Sequence, residues 1–180
     1  MFHLVTGGSG SGKSEYAENL IEGWKTKGTD GRKYYIATMM PFGKETQAKI
    51  ARHRQMRAGK GFQTLECYTG LPKIARELPK DHNALALLEC MSNLAANELY
   101  QEEGAGNGTV EFVMEGIRIL REKSSLLVAV TNEVFSESAE DTEEMQRYKK
   151  VLGEINRQMA AMADRVTEVV YGIPLEVKSR

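Results

Sequence analysis

A phosphate cradle, a helical imidazole and several strand-end carboxylates can be read directly from residue types and spacing. Gly7, Gly8, Ser9, Gly10, Ser11, Gly12, Lys13 and Ser14 follow a short apolar run, Phe2-His3-Leu4-Val5-Thr6. This is Gly-x-x-x-x-Gly-Lys-Ser set between a predicted strand and a predicted helix, the pattern of a phosphate-binding loop. The glycines let backbone N–H groups close around a polyphosphate, and the following helix adds the positive end of its dipole. Lys13 is placed to reach the β- and γ-phosphates, and the Ser14 hydroxyl to ligate Mg²⁺. A Gly/Ser-rich linker that matches by chance would not sit between a buried-type strand and an amphipathic helix. The expected ligand is a nucleoside triphosphate.

Other candidates end apolar runs. In a parallel α/β sheet, ligands gather at the carboxyl ends of the strands. That rule selects Thr38 and Met39, Glu89 after Ala84-Leu85-Ala86-Leu87-Leu88, and Thr131-Asn132-Glu133 after another buried strand. Glu89 is the best candidate for a magnesium-associated carboxylate, direct or through water; the alternative is a strand-end residue capping the next helix. Glu133 either orients a substrate or bonds a neighbouring loop. His53 lies in Lys49-Ile50-Ala51-Arg52-His53-Arg54, on a basic helix. A neutral imidazole can attack phosphorus to form a phosphoramidate, with flanking cations stabilising the charge that develops. Composition alone favours an ordinary exposed helical histidine there. His3 reads as a strand residue and His82 as a turn residue.

The elements that must position these groups alternate strand and helix, which predicts a mostly parallel sheet with helices on both faces. Helices are expected over residues 13–25, 44–56, 71–78, 91–101, 110–123 and 143–162, and strands over 2–6, 33–38, 62–68, 84–88, 126–131, 168–171 and 173–177. Ala17, Leu20, Ile21 and Trp24 fall on one face of the first helix. Ala48, Ile50, Ala51 and Met56 are the packing residues available to the second. The segments Gly28-Thr29-Asp30-Gly31 and Gly104-Ala105-Gly106-Asn107-Gly108 read as breaks. One domain, residues 1–180, is expected.

Composition excludes several classes. The 180 residues are 41% hydrophobic and 27% charged with net charge −1, ordinary for a globular protein and unlike a nucleic-acid binder. The basic run at 49–60 and the acidic run at 137–144 would usually be solvated faces. The two cysteines, Cys67 and Cys90, show no metal-type spacing. There is no leader pattern and no apolar stretch near the ~18 residues of a membrane span. A reduced, cytoplasmic protein without membrane insertion is expected.

Taken together, the segments resemble the adenosylcobinamide kinase/adenosylcobinamide-phosphate guanylyltransferase family. The resemblance runs from Leu4-Val5-Thr6-Gly7-Gly8 and Ser11-Gly12-Lys13-Ser14 through Tyr35-Ile36-Ala37-Thr38, Lys49-Ile50, His53-Arg54, Arg57 and Thr64-Leu65-Glu66. It continues with Leu87-Leu88-Glu89-Cys90, Asn93-Leu94, Val130-Thr131-Asn132-Glu133-Val134, Gly153, Asn156, Gly172-Ile173-Pro174 and Lys178. It implies a RecA-like phosphate-loop fold and a homotrimer. It also implies two reactions: phosphorylation of adenosylcobinamide by ATP or GTP, then transfer of GMP from GTP through a guanylyl-histidine to give adenosylcobinamide-GDP. By the same resemblance the nucleophile is His53, and nucleotide contacts come from Gly7–Ser14, Ala37, Thr38, Met39, Arg57, Glu66 and Glu89. A kinase-only enzyme and a non-enzymatic nucleotide switch are the competing readings.

Four departures from the family pattern stand out. The usual arginine in the phosphate loop is Gly10, and the expected Arg-Pro and downstream Trp are Arg57-Ala58 and Phe62. A glycine-rich segment ending in proline is replaced by Phe135 and the acidic run, and an Asn-Gln pair is Asn156-Arg157. The first two bear on nucleotide and guanylyl handling, the third on the corrinoid site.

Overall fold

A computed structural model describes residues 1–24, 31–134 and 142–179. The strands are β1 (Phe2–Thr6), β2 (Arg32–Ala37), β3 (Phe62–Glu66), β4 (Ala84–Glu89), β5 (Ser124–Val130), β6 (Arg165–Val170) and β7 (Ile173–Ser179). The helices are α1 (Lys13–Gly23), α2 (Gly43–Arg57), α3 (Leu71–Glu77), α4 (Met91–Tyr100), α5 (Thr109–Lys123) and α6 (Glu143–Met162). Every expected element is present, with boundaries moved by a few residues. The break expected at 28–31 and the acidic run from 137 lie mostly outside the described residues.

Among the described residues the strands form one sheet in the order β3-β2-β4-β5-β1-β6-β7. All neighbours pair in parallel except β6 and β7, whose Val170 and Ile173 face each other across an antiparallel hairpin. Tyr171 and Gly172, both at positive φ, turn that hairpin.

The period-two side-chain alternation of a strand sorts the apolar runs onto two faces. Leu4, Tyr34, Ile36, Ala86, Leu88, Leu127 and Ala129 pack on one face with residues of α3, α4, α5 and α6. Val5, Tyr35, Leu85, Leu87, Leu126, Val128 and Val130 pack on the other with Ala17 and Ile21 of α1. The central strand β4 is buried along its whole length, as its continuous apolar run requires. Each fully buried Leu or Ile here contributes roughly 1.5–3 kcal/mol of transfer free energy.

The second helix behaves differently from its expected packing. Ala48 and Ala51 of α2 are exposed, and Ile50 and Met56 are only half-buried. Neither apolar cluster includes a residue of this helix. The reason is placement: α2 presents residues 47 and 49–54 to a cavity on the α1 side of the sheet rather than to the core.

Candidate functional site

Strand register sets the floor of the site. Ala37 pairs with Glu89, Glu89 with Val130, and Val130 with Val5, so four strands end in one row. The loop after β1 leaves this edge and turns into α1. Its backbone is tightly constrained: Gly7 has φ 150°, and a Cβ there would lie 2.5 Å from the Val169 carbonyl oxygen and 2.7 Å from Ser11 Oγ. Only glycine fits that approach. Gly172, from the β6–β7 turn, donates its N–H to the Ser11 carbonyl at 2.8 Å, and Ser11 donates its own to Gly8 at 3.2 Å. Lys13 Nζ donates to the Gly8 carbonyl at 2.8 Å, curling the side chain over the loop. Burial pulls the Lys13 pKa down, partly offset by the negative charge of Glu89.

Glu89 is the meeting point. One carboxylate oxygen accepts the Ser14 hydroxyl, and the other accepts the Tyr35 hydroxyl at 3.0 Å. Burial, followed by the adjacent Glu89 charge, pushes the Tyr35 phenol pKa far upward, so the phenol remains a donor. The Arg57 guanidinium carbon lies over the Tyr35 ring, 3.3 Å from its centroid, a cation–π contact. His53 Nδ1 is 3.9 Å from Glu89 Oε1, outside hydrogen-bond reach.

These groups surround a cavity of about 1160 Å³. Its wall includes Ser9, Gly10, Ser11, Gly12, Lys13 and Ser14, with Ala37, Met39, His53, Arg57, Glu66 and Glu89. Ser11 Oγ, His53 Nδ1 and Arg57 Nη1 are buried there without a hydrogen-bond partner. Leaving buried polar atoms unpaired is costly, and three around one cavity are complementary to a ligand rich in acceptor oxygens.

Other expected residues take different places. Thr38 is fully buried and does not line the cavity. Its hydroxyl donates to the Cys90 carbonyl at 2.8 Å and accepts the Cys90 N–H at 2.7 Å, bracing the chain beyond Glu89. Gly7 and Gly8 shape the loop from behind the wall. Glu133 accepts the Thr6 hydroxyl at 2.9 Å while its N–H donates to the Gly7 carbonyl, the loop-bonding arrangement. Glu66 lines the rim, with Arg54 at 3.4 Å in an exposed pair. His3 and His82 lie outside the wall.

Sequence reasoning assigned no site role to two contributors, Tyr35 and Cys90. Tyr35 was legible only as a strand residue, although it lies two positions short of the end of β2 and so shares the α1 face with Ala37. Cys90 also lines the cavity, as does Asn132, which the strand-end rule selects. Asn132 donates to Ser92 Oγ at 2.7 Å, and Cys90 Sγ lies 3.0 Å from the same oxygen.

Ser14 and Glu89 fit Mg²⁺. They are hard oxygen donors already in contact beside the phosphate loop, and Mg²⁺ on nucleotides takes one or two protein oxygens with phosphates and water.

Comparison with known proteins matches the chain over nearly its whole length. Residues 3–177 match the family model described as cobinamide kinase / cobinamide phosphate guanyltransferase. The bifunctional adenosylcobalamin biosynthesis protein CobU of Escherichia coli (strain K12) is 32% identical, with 99% of this chain and 100% of that protein aligned. CobU of Salmonella typhimurium is 30% identical with the same coverage. CobP of Pseudomonas aeruginosa, likewise a bifunctional adenosylcobalamin biosynthesis protein, is 29% identical over 99% of this chain and 98% of its own.

Two solved structures share the fold at 14% identity. The flagellar accessory protein FlaH from Methanocaldococcus jannaschii has a TM-score of 0.53, over 99% of this chain and 78% of that one. A KaiC-like protein from Pyrococcus horikoshii has a TM-score of 0.56, over 99% and 79%. The fold is that of RecA-like phosphate-loop proteins. With the family model spanning nearly the whole sequence and full-length relatives about a third identical, the chain belongs to the cobinamide kinase/cobinamide phosphate guanyltransferase family.

Proposed function

We propose that this one domain phosphorylates adenosylcobinamide and then guanylylates the product through His53. The observation that carries the reading is the convergence of three unpartnered buried polar atoms, from Ser11, His53 and Arg57, on the cavity that contains the phosphate loop. In the first reaction the aminopropanol hydroxyl oxygen of adenosylcobinamide attacks the γ-phosphorus of ATP or GTP. The bond to the β-phosphate oxygen breaks, a nucleoside diphosphate leaves, and the hydroxyl proton is released to solvent. Lys13 and the loop N–H groups neutralise the phosphates, and Ser14 and Glu89 would hold Mg²⁺, which would supply further charge neutralisation.

In the second reaction a His53 ring nitrogen attacks the α-phosphorus of GTP. An N–P bond forms, the bond to the β-phosphate oxygen breaks, and pyrophosphate leaves. A phosphate oxygen of adenosylcobinamide phosphate then attacks the same phosphorus. The N–P bond breaks, giving adenosylcobinamide-GDP and free imidazole. Arg57, over the Tyr35 ring face, balances charge on the transferred group in this reading. Ala37 and Met39 bound the nucleotide from the β2 end, with Glu66 at the rim.

The family resemblance adds a homotrimer in the cytoplasm. An outer surface rich in apolar residues, Tyr171, Ile173, Leu175 and Val177, supports self-association at the β7 edge. No helix among the described residues is long and apolar enough to cross a membrane.

The test is incubation with adenosylcobinamide and each triphosphate, followed by mass analysis of the corrinoids. The phosphorylated corrinoid with ATP, and the GDP-corrinoid once GTP is present, are the expected products. Phosphorylation that never proceeds to the GDP-corrinoid supports the kinase-only reading. An unchanged corrinoid with tightly bound GTP supports a switch.

A further inference from the structure

We propose that Tyr35 is a positioning residue that holds Glu89 and Arg57 in fixed relation, its hydroxyl orienting the carboxylate at the metal corner and its ring face carrying the guanidinium. The inference rests on the reading that Ser14 and Glu89 hold Mg²⁺ on a bound triphosphate.

Tyr35 stands on β2 between Thr64 of β3 and Leu87 of β4, and is only 4% exposed. Phe62 meets its ring edge-on at 6.4 Å between centroids. The ring is therefore fixed by the sheet. Its two polar relations point to different parts of the site. The hydroxyl occupies Glu89 Oε2, which fixes the carboxylate's rotation and leaves Oε1 for Ser14. The π-face supports Arg57, the last residue of α2. That helix rests on neither apolar cluster, so the contact is one of the places where it is registered to the sheet. Arg57 Nη1 stays unpartnered and buried, which leaves it available to a phosphate oxygen.

The two halves separate chemically. Tyr35→Phe keeps the ring and loses only the O–H. Tyr35→Leu keeps an apolar side chain but removes both hydroxyl and π-face. Affinity for α,β-methylene GTP, which cannot release its α-phosphate to His53, is measured by calorimetry with and without Mg²⁺. In wild type, Mg²⁺ should tighten binding. In Tyr35→Phe that tightening should shrink about tenfold, as expected for one lost hydrogen bond to a charged group, with metal-free affinity unchanged and Tm lowered by a few degrees (~2–6 °C) because the bond is buried. In Tyr35→Leu the metal-free affinity should fall about tenfold as well, through loss of the Arg57 platform.

Wild-type Mg²⁺ dependence in a folded Tyr35→Phe would overturn the proposal. Equal losses with and without Mg²⁺ would overturn it too, because they mark a merely structural role. Absence of Mg²⁺-dependent tightening in the wild type would instead overturn the underlying assignment of Ser14 and Glu89.

Discussion

His53 Nδ1 and Glu89 Oε1 are 3.9 Å apart across the cavity, although one comes from α2 and the other from the end of β4. The distance leaves the imidazole nitrogen without a hydrogen bond while keeping it beside the carboxylate that receives Ser14. The proposed nucleophile and the proposed metal corner therefore share one chamber. A triphosphate bound by the loop would present different phosphorus atoms to each.

Ser14→Ala and Glu89→Gln should each lower corrinoid phosphorylation by about a hundredfold or more, the usual cost of removing one preorganised electrostatic partner. Ser14 is only half-buried, so Ser14→Ala should leave Tm nearly unchanged. Steady-state kinetics across a Mg²⁺ titration checks this. Full activity in Ser14→Ala would remove it from the site.

Gly10→Arg should tighten triphosphate binding about three- to tenfold by restoring a cation inside the loop. A Cβ at Gly10 meets nothing within 4 Å, but its φ of 73° is left-handed. The substitution should therefore cost about 1 kcal/mol of stability. Paired calorimetry and urea unfolding separate the effects. Lost stability with unchanged affinity would show that the side chain does not reach the phosphates.

Lys60→Ala should destabilise the fold by about 2 kcal/mol, because it strips the partner from a buried carboxylate. Lys60 Nζ donates to Glu18 Oε2 at 2.8 Å, and Glu18 is fully buried on α1. The Glu18 hydrogen bond raises the Lys60 pKa, consistent with a pair that favours the charged form. The double variant Glu18→Leu/Lys60→Met should recover most of the loss. Urea midpoints of the three proteins decide it, and an unchanged midpoint in Lys60→Ala would contradict the pairing.

His3 should make the protein acid-sensitive. Burial, and secondarily Arg165, lowers its pKa from 6.5 to about 4. Between those values the unfolded chain binds the proton and the folded chain does not. Stability is therefore fully present above about pH 6.5 and declines as pH falls towards 4, by at most about 3 kcal/mol. The His3→Gln variant should show a flatter Tm profile from pH 7 to pH 4.5 by calorimetry. An equal slope in both proteins would assign the acid sensitivity elsewhere.

Much of the fold is legible in the sequence because apolar runs and turn residues punctuate it. Ala84–Glu89 could hardly be anything but a central strand, and Gly12-Lys13-Ser14 after Val5-Thr6 specifies both the loop and the start of α1. Strand ends also locate Glu89, since ladder register, once parallel, brings Ala37, Glu89 and Val130 into one row. Side-chain partnerships between distant segments are not legible this way. Nothing near Tyr35 indicates that its hydroxyl meets Glu89 while its ring carries Arg57, because both relations depend on how α2 lies across the sheet. The same limit explains Ala48 and Ala51. Helical spacing identifies a possible packing face, but only tertiary placement turns it towards solvent.

The most direct measurement is exposure of the wild type and a His53→Ala variant to GTP radiolabelled at the α-phosphorus, without corrinoid. Wild type should acquire a covalent label that is acid-labile, base-stable and discharged by adenosylcobinamide phosphate. The variant should remain unlabelled while still phosphorylating adenosylcobinamide. A His53→Ala protein labelled as strongly as wild type would contradict the assignment of the nucleophile, and with it the proposed route of guanylyl transfer.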